Sequence, residues 1–125
     1  AVTAGIAAAA RAVIPLTHRS FNSSVVFITG HQDPTKEETS VDWAKYANLN
    51  TTLCLYMAVG RLAKICDALM SGGLPATTPC AIVQWATMPA EKKVFSTLKK
   101  LPLAAEQSRI SSPAIIIIGS TAREP

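Results

Sequence analysis

Four consecutive isoleucines occupy positions 115–118, between Ala114 and Gly119. Branching at Cβ stiffens the side chain and favours extended backbone. A run with no polar residue alternating through it leaves neither face for water. The stretch PAIIIIGS at 113–120 therefore predicts a buried central strand. Three other runs have a similar apolar centre and predict strands: SSVVFITGH at 23–31, TTLCLYMAV at 51–59 and TPCAIVQWAT at 78–87. KVFSTLKKL at 93–101 alternates instead, with Val94, Ser96 and Leu98 on one side and Phe95, Thr97 and Lys99 on the other. That pattern is a half-exposed strand.

Helical signals lie between these runs. Residues 3–12 are rich in alanine, with Thr3 as N-cap and Pro15 as terminator. VDWAKYANLN at 41–50 predicts a short helix capped by Asp42. Over 61–73, Leu62, Ile65, Leu69 and Met70 recur at helical spacing, and Gly72 and Gly73 supply a stop. Residues 102–110 predict one more short helix, while IPLTHR at 14–19 and QDPTKEETS at 32–40 read as loops. Strands alternating with helices imply an α/β layered domain. The step from 78–87 to 93–101 is too short for a parallel crossover, so a mixed β-sheet of about five strands flanked by helices is expected.

Composition excludes several classes. The chain is 49% hydrophobic and only 16% charged, against about 25% charged in ordinary domains. Such a surface suits a domain with a partner surface to cover. The net charge of +4 favours acidic ligands. The densest basic pairs, Lys92 with Lys93 and Lys99 with Lys100, have no interleaved aromatic residues for base stacking, so nucleic acid is not an expected partner. No stretch is long and apolar enough for a membrane span, and the apolar opening lacks the basic flank of a signal peptide. Cys54, Cys66 and Cys80 form neither a disulfide framework nor a zinc set, which points to a reducing compartment and no metal.

Nucleotide-binding glycine loops and Ser/His/Asp or Cys/His sets are absent from the sequence. His18 and His31 are the two histidines, each more simply read as a hydrogen-bonded surface residue than as a catalyst. In open α/β sheets, ligands collect at the carboxyl ends of strands. That directs attention to Gly30 with His31, Tyr56 with Met57, Ala86 with Thr87, and Gly119 with Ser120. The plainer reading of these positions makes Met57 a core residue and Ala86 merely small.

Four segments of the chain resemble uroporphyrinogen-III C-methyltransferases of the tetrapyrrole methylase superfamily. The first is VTAGIAAAARAVIPLTHR, followed by SSVVFITGH, which is similar to the family's GITSAxxxxAYxGIPLTHR and SVxFxTGH. VDWAKYANLNTTLCLYMAVGRLAKI resembles VDWxxLAxxxxTLVxYMGxxxLxxI, and PCAIVQWATMPAEKKVFSTL resembles PVAxVxxGTxxxQxxVxGTL. SSPAIIIIGSTA resembles PPALIIVGEVV. The likeness runs the whole chain, and IPLTHR with TGH a dozen residues later is its most specific part.

The resemblance implies a two-domain enzyme that binds S-adenosyl-L-methionine in the cleft between its domains. Residues 1–20 would be the interdomain segment and linker, and residues 21–125 the C-terminal α/β domain. The N-terminal domain with its glycine-rich donor loop, and the catalytic acid and base expected there, would lie outside this chain. Carried over by position, Thr3, Ala4, Met57 and Ala86 would contact the methyl donor. Arg19 would pair with a carboxylate of uroporphyrinogen III, and Met57 would also abut that substrate. The competing role for Arg19 is structural, capping a helix or pairing with Asp42. The implied activity is methylation of uroporphyrinogen III at C2 and C7 to precorrin-2, on the routes to sirohaem and cobalamin, with the fragment inactive alone. A homodimer in the cytoplasm, or in a plastid stroma, would follow. The alternatives are a later precorrin or cobalt-precorrin methyltransferase and a non-catalytic α/β interaction module. The sequence departs from the family pattern at Ala1, Val13 and Ala86, each in place of Gly, at Arg11 in place of Tyr, and at Ser120 in place of an acidic residue.

Overall fold

In a computed structural model, residues 24–29, 42–84, 91–110 and 113–123 are described. They form β1 (Val25–Thr29), α1 (Trp43–Ala47), β2 (Thr52–Tyr56), a 3-10 turn (Val59–Arg61), α2 (Leu62–Ser71), β3 (Pro79–Gln84), β4 (Lys92–Thr97), α3 (Leu101–Gln107) and β5 (Ala114–Ile118). Spatially the strands run β1-β2-β5-β3-β4, so the isoleucine strand is the middle one. β1 and β2 are parallel, whereas β5 is antiparallel to both β2 and β3, and β4 is antiparallel to β3. The expected mixed α/β sheet of five strands is thus present. β1, β2 and β3 share one direction and β4 and β5 the other.

Each isoleucine of β5 serves one face or the other. Ile116 and Ile118 pack with Leu53, Leu55, Cys80 and Ile82 under the helices, which contribute Trp43, Leu62, Ile65, Cys66, Leu69, Leu101 and Ala105. Ile115 and Ile117 pack with Cys54, Ala81, Val83 and Ala122 on the opposite face. All four are nearly or completely buried, which is worth about 1.5–3 kcal/mol for each such side chain.

The helices meet their expectations with shifted ends. α2 buries Leu62, Ile65, Cys66 and Leu69, while Met70 is half-buried at the edge of the same core. Its stop is a paired closure: Leu74 N–H donates to Leu69 O at 3.0 Å and Gly73 N–H to Met70 O at 3.1 Å, with Gly73 at φ 112°. α3 closes in the same way through Ile110 to Ala105 and Arg109 to Glu106, with Arg109 at φ 54°. This closure ends the helix at Gln107, short of the expected 110. Asp42 does stand at the N-cap of α1, but its side chain makes no capping bond; Lys45 N–H donates to its backbone carbonyl at 3.2 Å. β4 stops at Thr97 because Leu98 begins a turn, tied back by its N–H to Thr78 O at 2.9 Å. The helix expected at 3–12 lies outside the described residues. No helix among the described residues is long and apolar enough to cross a membrane.

Candidate functional site at the carboxyl ends of the strands

Register places the candidate positions. Thr29 pairs with Tyr56, Tyr56 with Ile115, Gln84 with Ala114 and with Lys92. The carboxyl ends of β1, β2 and β3 and the amino ends of β4 and β5 therefore share one edge of the sheet.

Met57 stands there, one residue past β2. The four residues at 52–55 are buried, yet Met57 is 67% exposed. The core reading of this methionine therefore does not hold. Its φ is 55°, in the left-handed region, which costs a residue with a Cβ about 1–2 kcal/mol. Strain of this kind persists where surrounding structure fixes it and is concentrated at functional sites. The fixing groups are visible. Tyr56 stacks on Phe27 with ring centroids 6.2 Å apart and planes at 29°. On the other side Ala58 is fully buried, and its carbonyl accepts from Arg61 N–H at 3.0 Å. The strand expected to run to residue 59 breaks here, at Met57, and the chain turns into α2.

Two shallow grooves open beyond this turn. One, of about 410 Å³, is lined by Gly60, Arg61, Ala63 and Lys64. The other, of about 260 Å³, lies between Val59, Gly60, Leu62 and Ala63 on one side and Pro102, Ala105, Glu106 and Ile110 on the other.

Gly119 and Ser120 are not part of this site. Because β5 runs antiparallel to β2 and β3, its carboxyl end lies at the opposite edge of the sheet, which corrects their assignment to a common strand-end site. They line a separate cavity of about 140 Å³ with Leu53, Leu74, Pro75 and Ile118. Two of its hydroxyls are already engaged: Thr78 Oγ1 donates to Pro75 O at 2.6 Å, and Thr51 Oγ1 accepts from Ser24 Oγ at 2.9 Å. Gly119 itself is required there. Its φ is 153°, and a Cβ would come within 3.3 Å of Thr52 Cα.

No cysteine is a nucleophile. Burial pushes the Cys54 thiol up to about 12. Burial, with Asp67 adding to it, does the same for Cys66, also to about 12. Burial chiefly, with Cys66 beside it, raises Cys80 well above the usual thiol range. All three are protonated small core residues at neutral pH. Among the described residues, no three His, Cys, Asp or Glu side chains are grouped to hold a metal.

Of the donor positions implied by resemblance, Met57 is the one described. Thr3, Ala4 and Ala86, the Arg19 expected to meet substrate, and His18 and His31 lie outside the described residues. Arg61 and Lys64, which line the larger groove, are not among the positions that the sequence singled out.

Comparison with known proteins fits this arrangement. Residues 1–102 match the family described as tetrapyrrole (corrin/porphyrin) methylases. A uroporphyrinogen-III C-methyltransferase from Synechocystis is 42% identical over 124 residues, covering 99% of this chain and 47% of that protein. An S-adenosyl-L-methionine-dependent uroporphyrinogen III methyltransferase from Methanosarcina barkeri is 38% identical, covering 94% of this chain and 46% of its own. Among solved structures, the cobalt precorrin-4 methyltransferase CbiF superposes with TM-score 0.87 at 27% identity, covering 98% of this chain and 51% of that one. The Thermus thermophilus uroporphyrin-III C-methyltransferase complexed with S-adenosyl homocysteine gives TM-score 0.72 at 26% identity, over 89% of this chain and 46% of that one. This chain spans about half the length of these two curated relatives. With the family model matching most of its residues, the chain belongs to the tetrapyrrole methylases.

Proposed function

We propose that these 125 residues are the C-terminal α/β domain and linker of a longer uroporphyrinogen-III C-methyltransferase. The observation that carries this is Met57, exposed and left-handed at the carboxyl end of β2, in a chain 42% identical to an enzyme of that name. S-adenosyl-L-methionine is the methyl donor and supplies an electrophilic carbon. That methyl becomes bonded to C2, and in a second round C7, of uroporphyrinogen III as its bond to sulfur breaks; S-adenosylhomocysteine departs and a proton is lost. The receiving carbons are enamine-like and electron-rich, so no protein nucleophile is needed, in keeping with three protonated core thiols.

The described residues fit a donor of this kind. Met57 offers a soft, polarizable thioether surface, exposed at the edge of the sheet. Catalysis then rests on holding donor and acceptor in line. Thr3, Ala4 and Ala86 are assigned to the donor with Met57, and Arg19 to a substrate carboxylate through its guanidinium fork. The acid–base residues belong to the other half of the enzyme, which works as a cytoplasmic homodimer.

A second reading has its own support. The TM-score with the cobalt precorrin-4 enzyme, 0.87, exceeds that with the Thermus uroporphyrin-III enzyme, 0.72. Backbone shape is shared across methylases of different substrates, whereas sequence identity tracks substrate more closely, so uroporphyrinogen III is favoured. The test uses the full-length enzyme. Calorimetric binding of S-adenosylhomocysteine separates enzyme from interaction module. Mass spectrometry after incubation with uroporphyrinogen III should show a gain of two methyl groups; methylation of a later precorrin alone would install the second reading.

A further inference from the structure

We infer that Phe27 is a positioning residue for the methyl donor: its ring holds Tyr56, and through Tyr56 the turn that presents the Met57 thioether. The inference rests on the assignment of Met57 to the donor above. Register brings the two rings together. Phe27 pairs with Cys54 and Thr29 with Tyr56, so Phe27 and Tyr56 are diagonal neighbours across β1 and β2. Directly paired residues share a face of a sheet, and so do residues two apart along a strand. Phe27 therefore lies with Cys54 and Tyr56 on the face turned away from α1, α2 and α3. Aromatic side chains reach across such a diagonal. The ring centroids are 6.2 Å apart and the planes differ by 29°, inside the range in which aromatic pairs attract.

The core makes little use of this phenylalanine. β1 is an edge strand; its Ile28, under the helices, is 8% exposed, whereas Phe27 is 39% exposed. What the ring does reach is the residue before Met57. Strand alternation would carry Met57 to the helix face, where Leu53 and Leu55 are buried. The left-handed φ of 55° diverts it into solvent instead. A strained residue keeps its conformation only where its surroundings fix it. The later flank is Ala58, fully buried, with its carbonyl accepting from Arg61 N–H at 3.0 Å. The earlier flank is Tyr56, half-buried, with Phe27 stacked on it. Loss of the Phe27 ring loosens that flank, lets the backbone relax toward ordinary strand geometry, and moves the thioether off the donor. Relief of strain offsets part of the lost ring contact, so donor affinity should suffer more than stability.

The test uses the full-length enzyme, with S-adenosylhomocysteine as the probe and calorimetry as the measurement. Phe27→Leu keeps apolar bulk and removes the ring stack; Phe27→Tyr keeps the ring. Expected are a Kd raised about three- to tenfold in Phe27→Leu and within about twofold of wild type in Phe27→Tyr. The same Phe27→Leu change in a Met57→Ala background should alter Kd by less than about twofold, because the side chain it positions is already gone. An equal loss in both backgrounds would overturn the inference, since Phe27 would then act on the donor by another route. So would an unchanged Kd in Phe27→Leu, or an affinity that Phe27→Tyr does not retain. A second readout needs no ligand. In enzyme carrying methyl-labelled methionine, the Met57 methyl resonance, assigned by its loss in Met57→Ala, should shift in Phe27→Leu and return toward wild type in Phe27→Tyr; a resonance that stays put would also overturn the inference. The donor reading fails separately: if Met57→Ala alone leaves Kd unchanged, Met57 does not hold the donor, and this inference falls with it.

Discussion

Met57 combines two properties seldom found together, a left-handed backbone and a large exposed apolar side chain. Glycine would adopt φ 55° without the 1–2 kcal/mol penalty, though it loses more freedom on folding, by roughly 0.5–1 kcal/mol. Met57→Gly should therefore leave stability unchanged or raise it by up to about 1 kcal/mol. Met57→Val, branched at Cβ, should destabilise by about 1 kcal/mol or more. Both should weaken S-adenosylhomocysteine binding, since both remove the thioether. Urea denaturation beside calorimetric titration checks the pair, and a destabilised glycine variant would refute the strain argument. The cysteines make a separate forecast at this scale. Thiols at 9.0 when unfolded and about 12 when folded leave the unfolded chain holding fewer protons above pH 9. Stability contributed by keeping Cys54 and Cys66 protonated is thus complete below about pH 9 and declines toward pH 12. Denaturation midpoints that hold from pH 7 to 8.5 and then fall, less steeply in Cys54→Ala, are expected; a midpoint indifferent to pH up to 11 would contradict the assigned burial.

At the scale of elements, packing sets limits that propensity does not reveal. Gly72 follows α2 where α1 crosses it, and a Cβ there would lie 2.9 Å from Ala44 Cα and 3.0 Å from Ala47 Cβ. Gly72→Ala must push the two helices apart and should destabilise by about 1–3 kcal/mol, as overpacking does. Arg109→Gly should do the reverse, because φ 54° closes α3 with a residue that has a Cβ; a gain of up to about 1 kcal/mol is expected. Differential scanning calorimetry on the two variants should move the melting temperature in opposite directions. The elements themselves were legible. All five strands, and the helices around residues 45, 66 and 104, fall where periodicity and β-branching put them. Their ends were less so. β2 ends at Tyr56 although Met57, Ala58 and Val59 continue its apolar run, since a left-handed turn in a non-glycine residue leaves no mark in composition. Strand direction was also hidden. Mixed pairing could be inferred from the short β3–β4 link, but not that β5 reverses and carries Gly119 and Ser120 to the far edge.

For the whole molecule, the decisive quantity is how much of the donor site one domain can supply. The Synechocystis and Methanosarcina relatives are about twice as long as this chain, and the proposed cleft lies between two domains. Of the surfaces that would enclose the donor, the described residues provide one wall, with Met57 on it. The two grooves beyond the Met57 turn are open and shallow. Methyl transfer needs donor and acceptor held in line with water excluded, and misplacement of about 1 Å can lower the rate by roughly a hundredfold. A half-site cannot meet that demand. The purified 125-residue chain should therefore show no methylation of uroporphyrinogen III above background. Its affinity for S-adenosylhomocysteine should be at least about a hundredfold below that of the full-length enzyme, a loss of about 3 kcal/mol or more. Circular dichroism must first establish that the isolated chain is folded, with mixed helix and strand. Co-expression with the N-terminal half should then restore binding and activity together, because the two halves re-form one cleft. Activity in the folded chain alone would place the whole active site within these residues and refute the two-domain account. Restored binding without methylation would locate the defect in the acid–base residues rather than in the cleft.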